Sequence, residues 1–87
     1  KKYKGTATVK LLVARGADVN GADQYGRTAL IVAARYGRME TVRFLLEQGA
    51  DPNAESIMKK WKPPLIAAKL RGHDDVATLL ASAGALP

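Results

Sequence analysis

The sequence predicts an all-α fold, a solenoid in which pairs of helices stack side by side. The first observation is a repeat: Leu11–Asn20 returns in similar form as Leu45–Asn53, and Gly16 and Gly49 stand 33 residues apart. The second is that apolar residues within each copy recur at helical spacing. The third is that a glycine follows each apolar run, as at many helix ends. One helix pair cannot bury its own apolar face, so copies of this pattern stack on each other.

A second block of sequence repeats in the same order. Leu30–Arg38 returns as Leu65–His73, and 35 residues separate Gly37 from Gly72. The basic period is therefore 33 residues, and the third copy carries two extra residues between positions 53 and 65.

The second copy carries the start and stop signals of two helices. Thr28 can cap a helix over Ala29–Tyr36 by accepting a hydrogen bond from an unpaired N–H of the first turn. Gly37 suits the left-handed turn that ends such a helix. The spacing then predicts a second helix over Met39–Gln48. Its apolar stripe consists of Val42, Leu45 and Leu46.

The same order of signals predicts helices elsewhere in the chain. In the third copy they cover Pro64–Arg71 and Asp74–Ser82. In the first copy Thr6–Arg15 is typical of a second helix, but Lys1–Lys4 is too polar to supply its partner.

One stretch of the second copy carries a family signature. It comprises Asp23-Gln24-Tyr25-Gly26-Arg27-Thr28-Ala29-Leu30, then Ala33-Ala34, Gly37, Leu45-Leu46 and Gly49-Ala50-Asp51. This stretch resembles an ankyrin repeat, and the resemblance extends over about residues 6–86. It implies stacked helix pairs joined by hairpin-like fingers, with a concave face of fingers and first helices that binds other proteins.

The resemblance divides a single domain, residues 1–87, into unequal parts. A partial first repeat covers 1–20, the second repeat covers 21–53, and the third repeat with its insertion and the start of a fourth covers 54–87. About two and a half repeats is near the lower limit for a stable array. We therefore expect either a fragment of a longer array or a minimal array stabilised by self-association or by a partner. Self-association would use apolar side chains exposed at the solenoid end, such as the outer side of Val76, Leu79 and Leu80.

The chain departs from the family pattern at several positions. Ile31 and Ile66 stand where the family often has histidine. The isoleucines lose a polar interaction and gain apolar contact. In the third copy Met58 and Trp61 replace the aspartate and glycine of the finger. We therefore expect Ser56–Lys62 to form a remodelled, longer finger.

The composition excludes several kinds of chemistry. The chain has no cysteine and a single histidine, His73. It therefore holds no disulfide, thiol nucleophile or thiolate metal site. We interpret His73 as a residue of the turn between two helices, and Asp74 and Asp75 as the first turn of a helix, where carboxylates suit the helix dipole. The sequence predicts no enzyme activity, no catalytic residue and no cofactor.

A metal site is not expected either. Asp51, Asn53 and Glu55 alternate as at the start of a calcium loop. However, Ser56 stands where that loop needs glycine, and Lys62 stands where it needs glutamate.

Asn20 and Asn53 lie in the loop between repeats. In the family this asparagine can be hydroxylated in some hosts. The alternative is an amide that stabilises the loop by bonding nearby backbone.

The chain has no apolar run near the roughly 20 residues needed to span a bilayer. No secretory apolar segment follows the N-terminal lysines. With the absence of cysteine, this favours an intracellular protein, cytoplasmic or nuclear.

The resemblance places a partner-binding surface on the fingers and on the ends of the first helices. The predicted residues are Gln24, Tyr25, Arg27, Arg35, Tyr36, Lys59, Lys60, Trp61, Lys62, Leu70 and Arg71. Tyrosine, tryptophan and arginine dominate interface hot spots. For Trp61 the alternative is that the ring folds back to cover the inserted loop.

Positive charge concentrates on this surface. Fourteen Lys and Arg against eight Asp and Glu give a net charge of +6. We expect a basic groove that binds an acidic protein or peptide, the alternative being an ordinary solvated face. A second alternative is nucleic acid or another polyanion, since Trp61 among three lysines could stack on a base.

Overall fold

The computed structural model describes residues 18–87, and this part of the chain forms four α-helices. The helices are α1 (Ala29–Arg35), α2 (Met39–Glu47), α3 (Pro64–Leu70) and α4 (Asp74–Ser82). No strand occurs among the described residues, and the predicted all-α class is confirmed. The predicted helix over Thr6–Arg15 lies outside the described residues.

The helix bounds follow from local capping signals. Thr28 caps α1 as predicted, because its Oγ1 accepts a hydrogen bond from Ile31 N at 3.2 Å. Three of the four helices predicted in this range extend one residue too far at the C-terminal end. In each case the extra residue is the C-cap, which has left helical geometry, as Tyr36 shows at φ −97° and ψ 7°. The fourth helix, α4, ends at Ser82 as predicted.

The core lies between the helix pairs. The first helices of the two repeats, α1 and α3, pack on each other, and each also packs on the second helix of its own pair. Alanines at the contact let the α1 and α3 backbones come close, and larger side chains fill the spaces around them. The buried cluster includes Leu30, Ala33, Ala34, Val42, Leu45, Leu65, Ala68, Val76 and Leu80. Ile31 is also fully buried, and Ile66 is half-buried.

The predicted apolar end face is wrong for Val76 and Leu80. Both side chains are fully buried, because α4 turns them toward α2 and α3 rather than away from the array. Leu79 is half-buried and packs against the same core. The large apolar side chain exposed at this end is Leu86, with 69% of its surface accessible.

Two asparagines tie successive repeats together. Asn20 Nδ2 donates to the carbonyl oxygen of Gly49 at 3.1 Å, and Asn20 Oδ1 accepts from Asp51 N at 2.6 Å. Asn53 makes the equivalent two bonds one repeat further on, at 3.2 and 2.7 Å. The prediction that these amides bond backbone groups is confirmed. The backbone that each amide bonds belongs to the next repeat rather than to the loop of the asparagine itself.

His73 is a second tie between repeats. It lies in the turn before α4, as predicted, and its Nε2 is 3.1 Å from the carbonyl oxygen of Arg35. Its ring packs over Gly37, where an added Cβ would stand 2.5 Å from Nδ1. Gly37 is therefore required for close approach as well as for its positive φ of 69°.

We expect Gly37→Ala to destabilise the fold more than Gly72→Ala. Both glycines have positive φ, 69° and 76°, so each alanine costs roughly 1–2 kcal/mol of left-handed strain. Only at Gly37 would the new Cβ displace a ring and its hydrogen bond, which adds about 1 kcal/mol; the space around Gly72 is open. Urea unfolding of the two variants measures the difference, and equal losses would contradict this account.

Candidate functional site

The first finger, residues 21–27, is held by one carboxylate. Gly26 N donates to Asp23 O at 2.9 Å and closes the turn. Asp23 Oδ1 accepts from the backbone N–H groups of Tyr25 and Arg27 at 2.9 and 3.0 Å. These bonds fix the backbone on both sides of the turn. They therefore fix the positions from which the Tyr25 and Arg27 side chains extend.

The second finger, residues 56–62, keeps the turn although its residues differ. Trp61 N donates to Met58 O at 2.9 Å, at the same spacing as the turn of the first finger. No aspartate is present to brace it. Ser56 Oγ instead accepts from Met58 N at 3.0 Å and donates to Tyr25 O at 2.6 Å. The second finger is thus fastened to the first.

Five of the predicted partner-binding residues form one cation–π cluster. The Arg27 guanidinium carbon lies 5.0 Å from the Tyr25 ring centroid and 4.7 Å from that of Trp61. The Arg35 guanidinium carbon lies 4.5 Å from the Trp61 centroid and 6.0 Å from that of Tyr36. The Tyr36 and Trp61 rings meet edge to face at 6.4 Å. Two cations and three rings from both repeats therefore hold each other in place.

Trp61 is a covering residue within this cluster. Its ring is half-buried, and both guanidinium groups lie over it. The ring packs on the two arginines of the preceding repeat, whereas the alternative had it cover the inserted loop of its own repeat. Tyr25 and Tyr36 are more accessible, with 42% and 52% of their surfaces exposed. The open edge of the cluster is formed by these two tyrosines.

The two arginines of the cluster differ in their partners. Asp23 Oδ2 lies 2.6 Å from both Nε and Nη2 of Arg27. The hydrogen bond from the Arg27 side chain, the largest cause, lowers the pKa of Asp23 below its ordinary value of 3.8. Arg35 has no carboxylate within ion-pair distance among the described residues. Its Nη1 donates to Lys60 O at 3.2 Å, and its Nε is buried without a partner.

The other predicted site residues are less closely joined. Lys60 meets the cluster through its carbonyl oxygen, and its side chain is exposed. The remaining five are exposed and lie outside the cluster: Gln24, Lys59, Lys62, Leu70 and Arg71. The last two end α3, at the place that Arg35 and Tyr36 occupy in the preceding repeat.

An apolar element of this surface was not predicted from the sequence. Ile57 has 80% of its surface exposed at the second finger, and the neighbouring Met58 is also exposed. A depression at this finger is lined by Glu55, Ser56, Met58, Lys59, Trp61, Lys62 and Pro63. An apolar pair placed directly before lysines in an inserted loop is the signal that could have found it.

The repeat geometry agrees with the comparison with known families. A family model described as "Ankyrin repeats (3 copies)" matches residues 2–56. The chain belongs to the ankyrin-repeat family. The match ends where the remodelled second finger begins, which is the part of the chain that departs from the family pattern. Ankyrin repeats generally mediate protein–protein interaction and are generally non-catalytic.

Several relatives match over most of this chain. Glycerophosphocholine phosphodiesterase gde1 of Schizosaccharomyces pombe is 36% identical over 88% of the chain, and E3 ubiquitin-protein ligase KEG of Arabidopsis thaliana is 37% identical over 93%. Ankyrin repeat domain-containing protein 63 of Homo sapiens is 36% identical over 83%. The chain spans only 7%, 5% and 18% of the lengths of these proteins. The similarity to the phosphodiesterase is a repeat-region match.

Between residues 18 and 87, no group of three or more His, Asp or Glu side chains could hold a metal ion. No helix in that range is long and apolar enough to cross a membrane.

We expect the indole of Trp61 to report the integrity of the cluster. Trp61 is the only tryptophan of the chain. Arg35→Met removes the cation from the Trp61 ring and the hydrogen bond to Lys60 O. The indole should then be more exposed to water, so the Trp61 emission should shift to longer wavelength. The free energy of unfolding should fall by about 0.5–2 kcal/mol. Fluorescence-detected urea unfolding gives both quantities.

The matched control is Arg43→Met, which removes the same charge from an exposed position on α2. Its emission should stay at the original wavelength. A shift of the same size in both variants would show that the effect is one of net charge and not of the cluster.

We expect the Asp23–Arg27 pair to make stability depend on acid pH. The pKa of Asp23 is lowered in the folded state, chiefly by its hydrogen bond from Arg27. The contribution is therefore complete above the ordinary value of 3.8 and is lost as pH falls through the lower, folded-state pKa. Unfolding curves between neutral and strongly acid pH should show a smaller loss for Asp23→Asn than for the unmodified chain. An identical acid dependence would contradict the pairing.

Proposed function

We propose that the chain is a non-catalytic interaction module that binds an acidic protein partner on the face formed by its fingers and first helices. The observation that carries the proposal is the cation–π cluster, whose open edge presents Tyr25 and Tyr36. Residues of these types supply most of the binding energy at protein interfaces.

The packing of the cluster supports this role. Arg27 and Arg35 are already positioned by rings, by Asp23 and by Lys60 O. Binding therefore need not order these long side chains, which would otherwise cost about 0.5–1.5 kcal/mol each. A surface ordered in advance retains more of its contact energy as affinity.

The charge of the second finger and α3 supports an acidic partner. Residues 56–73 contain no aspartate or glutamate. The basic residues of this stretch are Lys59, Lys60, Lys62, Lys69 and Arg71. Such a field speeds association with an acidic surface and disfavours a basic one.

Nucleic acid or another polyanion is the second candidate, favoured by the same lysines. Recognition of a single strand by stacking requires an aromatic face that is free to receive a base. The guanidinium groups of Arg27 and Arg35 lie 4.7 and 4.5 Å from the Trp61 ring centroid and so would compete with a base for that ring. This position of Trp61 favours the protein partner.

Self-association is a weaker candidate. The apolar side chains expected at the end of the array, Val76 and Leu80, lie in the core of the same chain.

The cellular compartment is also part of the proposal: the absence of cysteine favours the cytoplasm or the nucleus.

Affinity capture tests the binding face. The bait is the full chain, and the test bait is the Tyr25→Ala, Tyr36→Ala double variant, which leaves Trp61 and both arginines in place. A protein held by the face should bind the test bait less tightly by roughly 1–2 kcal/mol or more. Quantitative mass spectrometry of the eluates, at moderate salt and after nuclease treatment, gives the enrichment.

The control bait is the Arg43→Ala, Gln48→Ala double variant, which changes two exposed residues of the first described helix pair away from the fingers. Equal capture by test and control baits would reject the face. Captured material that disappears with nuclease, or with a modest rise in salt, would favour the polyanion.

A further inference from the structure

We propose that Arg35 is an open carboxylate-binding position, which receives an aspartate or glutamate side chain of the partner. This inference rests on the proposed function, since it specifies which residue binds a carboxylate of the acidic partner. Arg27, the other arginine of the cation–π cluster, does not serve in this way because the chain's own Asp23 already occupies it.

The guanidinium of Arg35 is held but not neutralised. Its Nη1 donates to Lys60 O at 3.2 Å, and its Nε is buried without a partner. The rings of Trp61 and Tyr36 lie 4.5 and 6.0 Å from its central carbon. Its Nη2 is neither bonded to a described residue nor among the buried unpaired atoms, so it is the nitrogen open to a ligand.

Arg27 shows how a carboxylate satisfies a guanidinium in this environment. Asp23 Oδ2 lies 2.6 Å from two of its nitrogens, while the cation still packs over Tyr25 and Trp61. Stacking on rings and pairing with a carboxylate are therefore compatible in the same cluster. Arg35 has the first interaction and lacks the second.

No carboxylate of the described residues lies within ion-pair distance of Arg35. The finger that covers it and the helix beside it belong to residues 56–73, which contain no aspartate or glutamate. A half-buried cation has lost part of its hydration, and an opposite charge compensates for that loss more fully than a neutral carbonyl does. A carboxylate from another chain would do so through Nη2, with Nη1 still bonded to Lys60 O.

One open nitrogen can satisfy a larger share of the acceptor oxygens of a carboxylate than of those of a phosphate. A phosphate group presents three strong acceptor oxygens. Arg35 offers one open nitrogen, because Nη1 is bonded and Nε is covered. The flanking rings of Tyr36 and Trp61 also suit a flat group attached to an apolar carbon. Phosphate and nucleic acid are therefore the competing ligands that the experiment must separate.

The test is a nuclear magnetic resonance titration of the full chain labelled with nitrogen-15. The probe is the capped peptide acetyl-Asp-Glu-Asp-amide, and its uncharged control is acetyl-Asn-Gln-Asn-amide. The arginine Nε–Hε signals report each side chain separately. The Arg35 signal should move to saturation with the acidic peptide alone, and the Arg27 signal should move far less.

Matched variants convert the titration into an affinity. Arg35→Gln should weaken binding of the acidic peptide by about tenfold or more, as the loss of one hydrogen bond to a charged group implies. Arg43→Gln removes the same charge from an exposed position on α2, outside the predicted binding surface, and should leave the affinity within about twofold, as expected for a screened surface charge. Amide spectra of both variants establish that they keep the fold.

Three results would overturn the proposal. One is equal movement of all arginine signals, which indicates general attraction to a basic chain. Another is equal weakening by Arg35→Gln and Arg43→Gln. The third is saturable movement of the Arg35 signal at lower concentrations of inorganic phosphate or oligothymidylate than of the peptide. Each leaves capture through Tyr25 and Tyr36 untouched, so failure here is separable from failure of the proposed function.

Discussion

The apolar contact between α1 and α3 is the constraint on which the rest of the structure depends. A single helix pair has an apolar face that it cannot cover, and the neighbouring pair covers it. Ala33, Ala34 and Ala68 are small enough for the two backbones to approach, while Leu30 and Leu65 fill the remaining space. The short helices thus draw their stability from each other rather than from their own propensity.

This contact also sets the positions of the fingers. Once the repeats are stacked, Asn20 reaches the backbone of the following repeat and His73 reaches the carbonyl oxygen of Arg35. The same register brings residue 61 over the arginines of the preceding repeat. The second finger lacks the aspartate that braces the first, and Ser56 and the cation–π cluster hold it instead. The finger that departs from the family pattern is therefore also a point of contact between the two repeats.

The cluster has a structural role, and the proposed function would give the same side chains a binding role. Trp61 covers two arginines, and the accessible edges belong to Tyr25 and Tyr36. A surface in which the large side chains already support each other is rigid before a partner arrives, which lowers the entropy lost on binding. Within it, the internal pairing of Arg27 with Asp23 leaves Arg35 as the cation that lacks a carboxylate.

The sequence by itself determined the repeat and, to within one residue, the four described helices, because caps, glycine turns and apolar spacing are local signals. It grouped Tyr36, Trp61 and Arg35 on one face. It did not show that Trp61 lies on the arginines, and it assigned Val76 and Leu80 to an exposed end although they are buried. Periodicity shows which side of a helix is apolar, whereas only the packing of distant segments decides which neighbour covers that side and which charge is left without a partner.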